Sequence, residues 1–247
     1  MIGSLFNTVI YEPLYNGLIF LIDILPGANA GFAVLLLTVL VKLLIFPLSK
    51  SAVETQMKVK EIDPEIKKIR EEHKTDREAQ ARALMALYRD KKINPFSSIF
   101  LILIQIPIIL GLYFVFLRGG LPDINTDILY AFVPTPEMVN MQFLGFIDIA
   151  GKSVLLALTA GISQFIQGKL MIPPMPPKKT SGKPSLKDDL ARSMNVQMRY
   201  VLPVIVFFIA WQISAAIALY WTTSNVFTIG QEFAIRRKRG ALAKGVS

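Results

Sequence analysis

The chain has 247 residues, 53% of them hydrophobic and 18% charged, with 27 basic and 18 acidic side chains and a net charge of +9. An ordinary soluble domain carries roughly 45–50% apolar and about 25% charged residues, so this composition argues against one soluble domain or two small ones. A chain this apolar collapses or inserts and cannot stay disordered. With no cysteine and a single histidine, His73, the sequence excludes disulfide frameworks, thiol nucleophiles and Cys-based metal sites. It also argues against a His-rich metal site or a Ser-His-Asp triad. No metal ligand set and no cofactor motif is found.

The charges fall in blocks that partition the chain. Residues 1–41 hold no Lys or Arg and two acids, Glu12 and Asp23. Within 1–30, Leu5, Phe6, Val9, Ile10, Leu14, Leu18, Leu21, Ile22 and Leu25 recur at helical spacing. Ser4, Asn7, Thr8, Tyr11, Glu12, Tyr15, Asn16 and Asp23 fall elsewhere on the wheel. The stretch has no basic n-region, and Glu12, Pro13 and Asp23 break its apolar run, unlike a signal peptide. It reads as an amphipathic helix in the extracytoplasmic interface rather than as a sixth span. A first span over 31–50 follows.

Residues 51–94 form a charged cytoplasmic piece; the block 49–95 holds twelve basic and nine acidic residues. Asp63-Pro64 predicts a helix start, with Asp63 as N-cap and Pro64 at the first helical position. Thr75 and Glu78 predict a capping box for a second helix, and Asn94-Pro95 ends it. The result is a two-helix hairpin. It is either a solvated connector that only sets topology, or a partner surface, since ordering some forty residues costs backbone entropy.

A second span covers 95–117. The loop 118–151 carries one basic and four acidic residues, and a third span covers 152–172. The Pro/Lys-rich run of 173–197 cannot be helical and reads as a cytoplasmic loop. Residues 200–231 are uncharged, and as one helix they would run about 48 Å at 1.5 Å per residue, too long for an ordinary span. Trp211, Gln212 and Ser214 interrupt the stretch, so 198–235 reads as a hairpin of fourth and fifth spans. The tail, 236–247, begins with Arg236, Arg237, Lys238 and Arg239. The positive-inside rule places 51–94, 173–197 and the tail in the cytoplasm, with the N-terminus and 118–151 outside. Five spans satisfy all these placements. The tail's basic cluster fits topology and anionic lipid or contact with phosphate-rich RNA.

The polar residues within the spans carry the most information. Six residues separate Lys42 from Ser49, about 9–10 Å of helix, just past easy snorkelling reach. Lys42 either snorkels or faces a water-filled cavity open to the cytoplasm; a charge at this depth marks a functional site by default. Gln105, Gln164, Gln167, Thr222, Thr223, Ser224 and Asn225 could line the same cavity. Each alone reads as helix–helix glue, and their occurrence in three spans raises the cavity reading.

Several runs then share a pattern: GFAVLLLTVLVKLLIFPLS with Met57 and DPEIKKIREEHK, NPFSSIFLILIQIPIILGLYFVF, FLGFIDIA, AGISQFIQGKL, MRYVLPVIVFFIA and ALYWTTSNVFTIGQ. In order and spacing over about 31–235 they resemble the YidC/Oxa/Alb membrane protein insertases, in the compact bacterial form without a large extracytoplasmic domain. The resemblance implies an all-α membrane protein of five transmembrane helices around a hydrophilic groove, open to the cytoplasm and closed to the outside. The family normally carries an arginine where this sequence has Lys42. Lysine lacks the planar bidentate fork of arginine but keeps the cation.

The implied function is that of a non-enzymatic insertase and chaperone in the bacterial plasma membrane, N-terminus outside and C-terminus cytoplasmic. Its substrate groove would hold Lys42, Gln105, Gln164, Gln167, Thr222 and Asn225. Cytoplasmic partner contact falls to Lys67, Lys68, Arg70, Arg236, Arg237, Lys238 and Arg239. The implied partners are nascent membrane proteins, the lipid bilayer and the ribosome, with a Sec translocon left open and DNA not among them. The alternative from another class is a small solute channel or transporter, against which no internal repeat is seen.

Overall fold

The computed structural model describes residues 2–94, 97–118, 121–171, 193 and 195–244. The chain is mostly helical, with one two-stranded hairpin. It divides into two units, one of residues 1–43 and 107–230 and the other of 44–106 and 231–247. Among the described residues one helix, Gly3–Ile24, is by itself long and apolar enough to cross a bilayer. Ala30–Leu44 and Phe46–Glu61 pass the same test only when taken together, and Gln105–Phe116, Val154–Leu170 and Gln197–Gln212 are shorter apolar helices.

In the first unit, the N-terminal helix passes through a π-helical stretch at Asn7–Tyr11 and continues as Glu12–Ile24. Leu14, Leu18, Leu21 and Ile22 are buried at helical spacing. Close approach at Gly111 admits this helix: a Cβ there would lie 2.7 Å from Leu14 Cδ1 and 2.9 Å from Ile10 Cγ2. Tyr15 and Asn16, set apart from the apolar positions on the helical wheel, are buried too. The reason is a polar contact more than a hundred residues away. The Asn16 amide donates to the Ile128 carbonyl at 2.9 Å and accepts from the Tyr130 N–H at 2.6 Å. The Tyr15 hydroxyl accepts from the Asn125 N–H at 2.8 Å. Backbone groups of the 118–151 loop that would otherwise be orphaned are thereby satisfied.

The helix Ala30–Leu44 starts on Asn29, whose side-chain oxygen accepts from the N–H groups of Gly31 and Phe32. It does not run straight through the span read over 31–50. It stops before Ile45 (φ −87°, ψ 2°), and Phe46–Glu61 begins with a proline, Pro47, in its first turn. Pro47 has no N–H to give to the preceding turn and its ring clashes with it, so the break falls where a proline dictates.

Helices Val154–Met171 and Leu202–Gln212 pack through small residues. Ala157 and Ala160 are buried, and a Cβ on Gly161 would sit 3.1 Å from Phe207 Cβ. The chain leaves the helix after Gln212 and resumes at Ala215, within the interruption read at 211–214. The N–H groups of Ala215 and Ala216 donate to the Gly151 and Ile149 carbonyls at 2.7 and 3.0 Å, which caps the last helix with the 118–151 loop.

In the second unit, Asp63–Glu72 and Arg77–Asp90 form a two-helix hairpin. Ile62, Ile66 and Ile93 are its core, with Val59, Leu84, Leu87 and Tyr88 packed around them. Lys91 and Glu65 close it at 2.7 Å. Both expected caps shift by one residue. Asp63 is already helical, with Ile62 in the cap position, and pairs with Lys67 one turn on. The second helix is capped by Asp76, which accepts from the Glu78 and Ala79 N–H groups at 3.0 Å, not by Thr75. Aspartate caps at least as well as threonine and adds a charge at the positive end of the helix dipole. Pro95, Lys238 and Arg239 side chains and most of the expected 173–197 loop (172–192 and 194) lie outside the described residues.

Candidate functional site

The polar side chains of the first unit meet along one edge of the last helix. Thr222, Asn225 and Thr228 recur every three residues on Ala215–Lys244, which keeps them on one side. The Lys42 ammonium donates to the Thr228 hydroxyl at 3.4 Å, across 186 residues of sequence. The Asn225 amide donates to Ser163 Oγ at 3.1 Å and to Gln164 Oε1 at 3.2 Å. Thr159 and Thr222 share a hydroxyl–hydroxyl bond of 3.0 Å. Four of the expected groove residues, Lys42, Gln164, Thr222 and Asn225, are thus tied to neighbouring helices of this unit by polar contacts. Gln167 is half-buried on the same helix as Gln164. Gln105 is half-buried in the second unit.

The hydroxyls have a double use. Thr228 donates to the Ser224 carbonyl at 2.8 Å, Thr222 to Ala218 at 2.9 Å, and Ser163 to Ala160 at 3.0 Å. The Thr228 and Ser163 protons are taken by their own helix backbones, and the oxygen lone pairs remain as acceptors; in the Thr159–Thr222 pair one hydroxyl donates across. Thr228 therefore offers Lys42 an acceptor at no loss to its helix. Ser163, Ser224, Asn225 and Thr228 are buried, and Thr38 is 1% exposed. Thr159, Ser163 and Thr228 were not singled out in the sequence, because a hydroxyl in an apolar helix usually serves only its own backbone. The signal that could have found Thr228 is the three-residue repeat with Thr222 and Asn225.

The basic residues expected to meet a partner divide into paired and open ones. Lys67 pairs with Asp63, and Lys68 with Glu72 at 3.8 Å, all on the exposed surface. Pairs of this kind hold about 0–1 kcal/mol and leave the lysines accessible. Arg70 is exposed. Arg236 is committed to Glu232, a buried carboxylate one turn earlier, while Arg237 is exposed. Beside them, burial holds the Lys60 ammonium below its usual pKa of 10.5. The Arg236 charge pushes in the same direction, and Glu232 partly offsets both. Ser49 and Gln231 exchange hydrogen bonds at 2.8 and 3.1 Å within this unit. Arg236 is accordingly part of a polar seam in the second unit.

The model of the 60Kd inner membrane protein family matches residues 21–241. A membrane protein insertase YidC of Ectopseudomonas mendocina (strain ymp) is 29% identical over 234 residues, covering 94% of this chain and 35% of that protein. One of Clostridium tetani (strain Massachusetts / E88) is 30% identical over 206 residues, covering 83% of this chain and 81% of the relative. One of Francisella tularensis subsp. novicida (strain U112) is 31% identical over 219 residues, 87% of this chain and 34% of the relative. The chain thus spans about a third of the length of the first and third relatives and four fifths of the second. The match runs through both units, from the end of the N-terminal helix to the tail, and takes in Lys42, Ser163, Gln164, Thr222, Asn225 and Thr228. The chain belongs to the 60Kd inner membrane protein family, the family of the YidC membrane protein insertases.

Proposed function

We propose that the chain is a membrane protein insertase. It admits the hydrophilic flank of a nascent membrane protein into a polar groove and releases the hydrophobic segment into lipid. The observation that carries this is the line of polar contacts from Lys42–Thr228 through Asn225–Ser163–Gln164 to Thr222–Thr159, set among apolar helices. A polar backbone entering hydrocarbon without partners pays several kcal/mol per group. Acceptor oxygens and an amide within the membrane's depth lower that barrier. The Lys42 cation adds long-range attraction for an acidic flank, strongest where water is scarce. The apolar segment then moves into the acyl chains, driven by burial of its own surface. No covalent step is part of this cycle.

The groove is read as open to the cytoplasm within five spans, with the N-terminus and the 118–151 loop outside and the tail inside. Gln105 and Gln167 enter the reading from the sequence. The exposed Lys67, Lys68, Arg70 and Arg237 suit a phosphate-rich surface such as a ribosome, with Lys238 and Arg239 assigned by sequence only. The test uses the absence of native cysteine. Single cysteines replace residues 42, 105 and 225, and stalled nascent chains carry a crosslinker in the flank. Crosslinks from 42 and 225 that weaken once the chain is released are the expected result. Solute flux in proteoliposomes with no crosslinks at these positions would favour a channel instead.

A further inference from the structure

The hairpin at 142–148 has an unusual turn. Gln142–Phe143 and Ile147–Asp148 pair antiparallel with Phe143 opposite Ile147, and both of these are buried. Phe143 lies edge-on to Phe32, ring centroids 5.1 Å apart. The Phe146 N–H donates to the Phe143 carbonyl at 3.3 Å, with Leu144 at φ 54° and Gly145 at φ 83° between them. Two left-handed residues in succession favour Asn-Gly, and Gly145 follows that rule. Leu144 does not: its Cβ crowds the backbone in this region. Nor does its side chain gain from packing, since Leu144 is 56% exposed and Phe146 67%. A strained apolar residue at an exposed tip has no explanation within the fold, and such local conflicts collect at functional positions.

The surroundings indicate what covers the tip. From Asp148 the chain passes directly to Ile149 and Gly151, whose carbonyls cap the last helix, and to Lys152, whose ammonium meets Gln212 at 3.1 Å. It then enters the helix Val154–Met171, where Val154, Leu155, Leu158 and Ile162 are exposed along one side. In a membrane protein an exposed aliphatic stripe of this kind faces acyl chains. The hairpin thus leads, within a few residues, into a lipid-facing helix from the end where that helix leaves the membrane. Aromatic and large apolar side chains collect in this interfacial layer.

We propose that the Leu144–Phe146 turn is a wedge seated in the interfacial layer of the bilayer beside the start of the Val154–Met171 helix, so that lipid is its partner. The phenylalanine ring and the leucine side chain displace water from the boundary between headgroups and acyl chains. This contact offsets the strain at Leu144. The inference rests on the chain being a membrane protein and does not depend on insertion activity or on which side the loop faces, so the two readings fail separately.

The test places nitroxide labels through Leu144→Cys, Phe146→Cys and, as an exposed control, Asp127→Cys. The full chain is reconstituted in vesicles of phosphatidylethanolamine and phosphatidylglycerol. Labels at 144 and 146 are expected to show a several-fold higher ratio of oxygen to water-soluble nickel accessibility than the label at 127. Equal nickel accessibility at all three positions would overturn the proposal. Shielding of 144 and 146 from both reagents would also overturn it, by showing a protein surface or a second copy on the tip. In a fourth variant, Leu144→Asn with the label at 146, the favoured turn residue is restored. That change is expected to keep the thermal midpoint in detergent while lowering the accessibility ratio at 146; an unchanged ratio contradicts the wedge. Should Leu144→Cys not fold, the label at 146 decides alone.

Discussion

At Gly31 a methyl group has nowhere to go: a Cβ there would lie 2.4 Å from Phe143 Cδ2 and 2.6 Å from its Cβ. Alanine favours a helix by up to about 1 kcal/mol over glycine, but the overpacking here costs about 1–3 kcal/mol. Gly31→Ala is therefore expected to lower the thermal midpoint in detergent, and an unchanged midpoint would contradict the close approach. A single glycine has no neighbours in sequence that announce such a constraint, because Phe143 is more than a hundred residues away. The same distance hid the burial of Tyr15 and Asn16. On the helical wheel they fell with the polar residues, whereas their partners sit in the 125–130 loop. Lys42 was legible because a cation in an apolar run stands out by itself. Its acceptor, Thr228, was not.

Elements were more legible than their ends. The two-helix hairpin follows from proline, capping residues and apolar spacing, all local signals. Its second cap shifted because Thr75 and Asp76 stand side by side and both can accept from a first-turn N–H. Asp76, at φ −112° and ψ 100°, accepts from two. The shift gives a direct comparison: Asp76→Ala is expected to destabilise the hairpin by about 1 kcal/mol, and Thr75→Ala to leave it nearly unchanged. Amide hydrogen exchange at Glu78 and Ala79 reads the difference, and equal protection in both variants would restore Thr75 as the cap. The helix break at Ile45 was equally available from Pro47. A predominantly apolar run over 31–48 masked it, since hydropathy sums over residues and is blind to a missing N–H.

For the whole molecule, the excess of positive charge was the first unusual feature, and most of it lies in the segments read as cytoplasmic. The structure refines that account by dividing the basic residues. Lys67 and Lys68 are paired with acids on the surface and Arg236 with a buried one, while Arg237 is exposed. Lys42 lies in an apolar helix of the first unit, joined to the last helix through Thr228, and is the charge proposed to act there. The central claim is that this cation and the polar line around it receive the hydrophilic flank of a substrate. The most direct measurement is insertion of a single-span substrate with an acidic flank in a depletion strain complemented by Lys42→Ala, Lys42→Glu or Lys42→Arg. Losing an attraction of about 1–2 kcal/mol corresponds to roughly a tenfold effect on a rate, and reversing it to more. Lys42→Arg is expected to retain insertion, Lys42→Ala to reduce it, and Lys42→Glu to reduce it about tenfold or more; insertion unchanged by Lys42→Glu, at equal protein levels, would contradict the account.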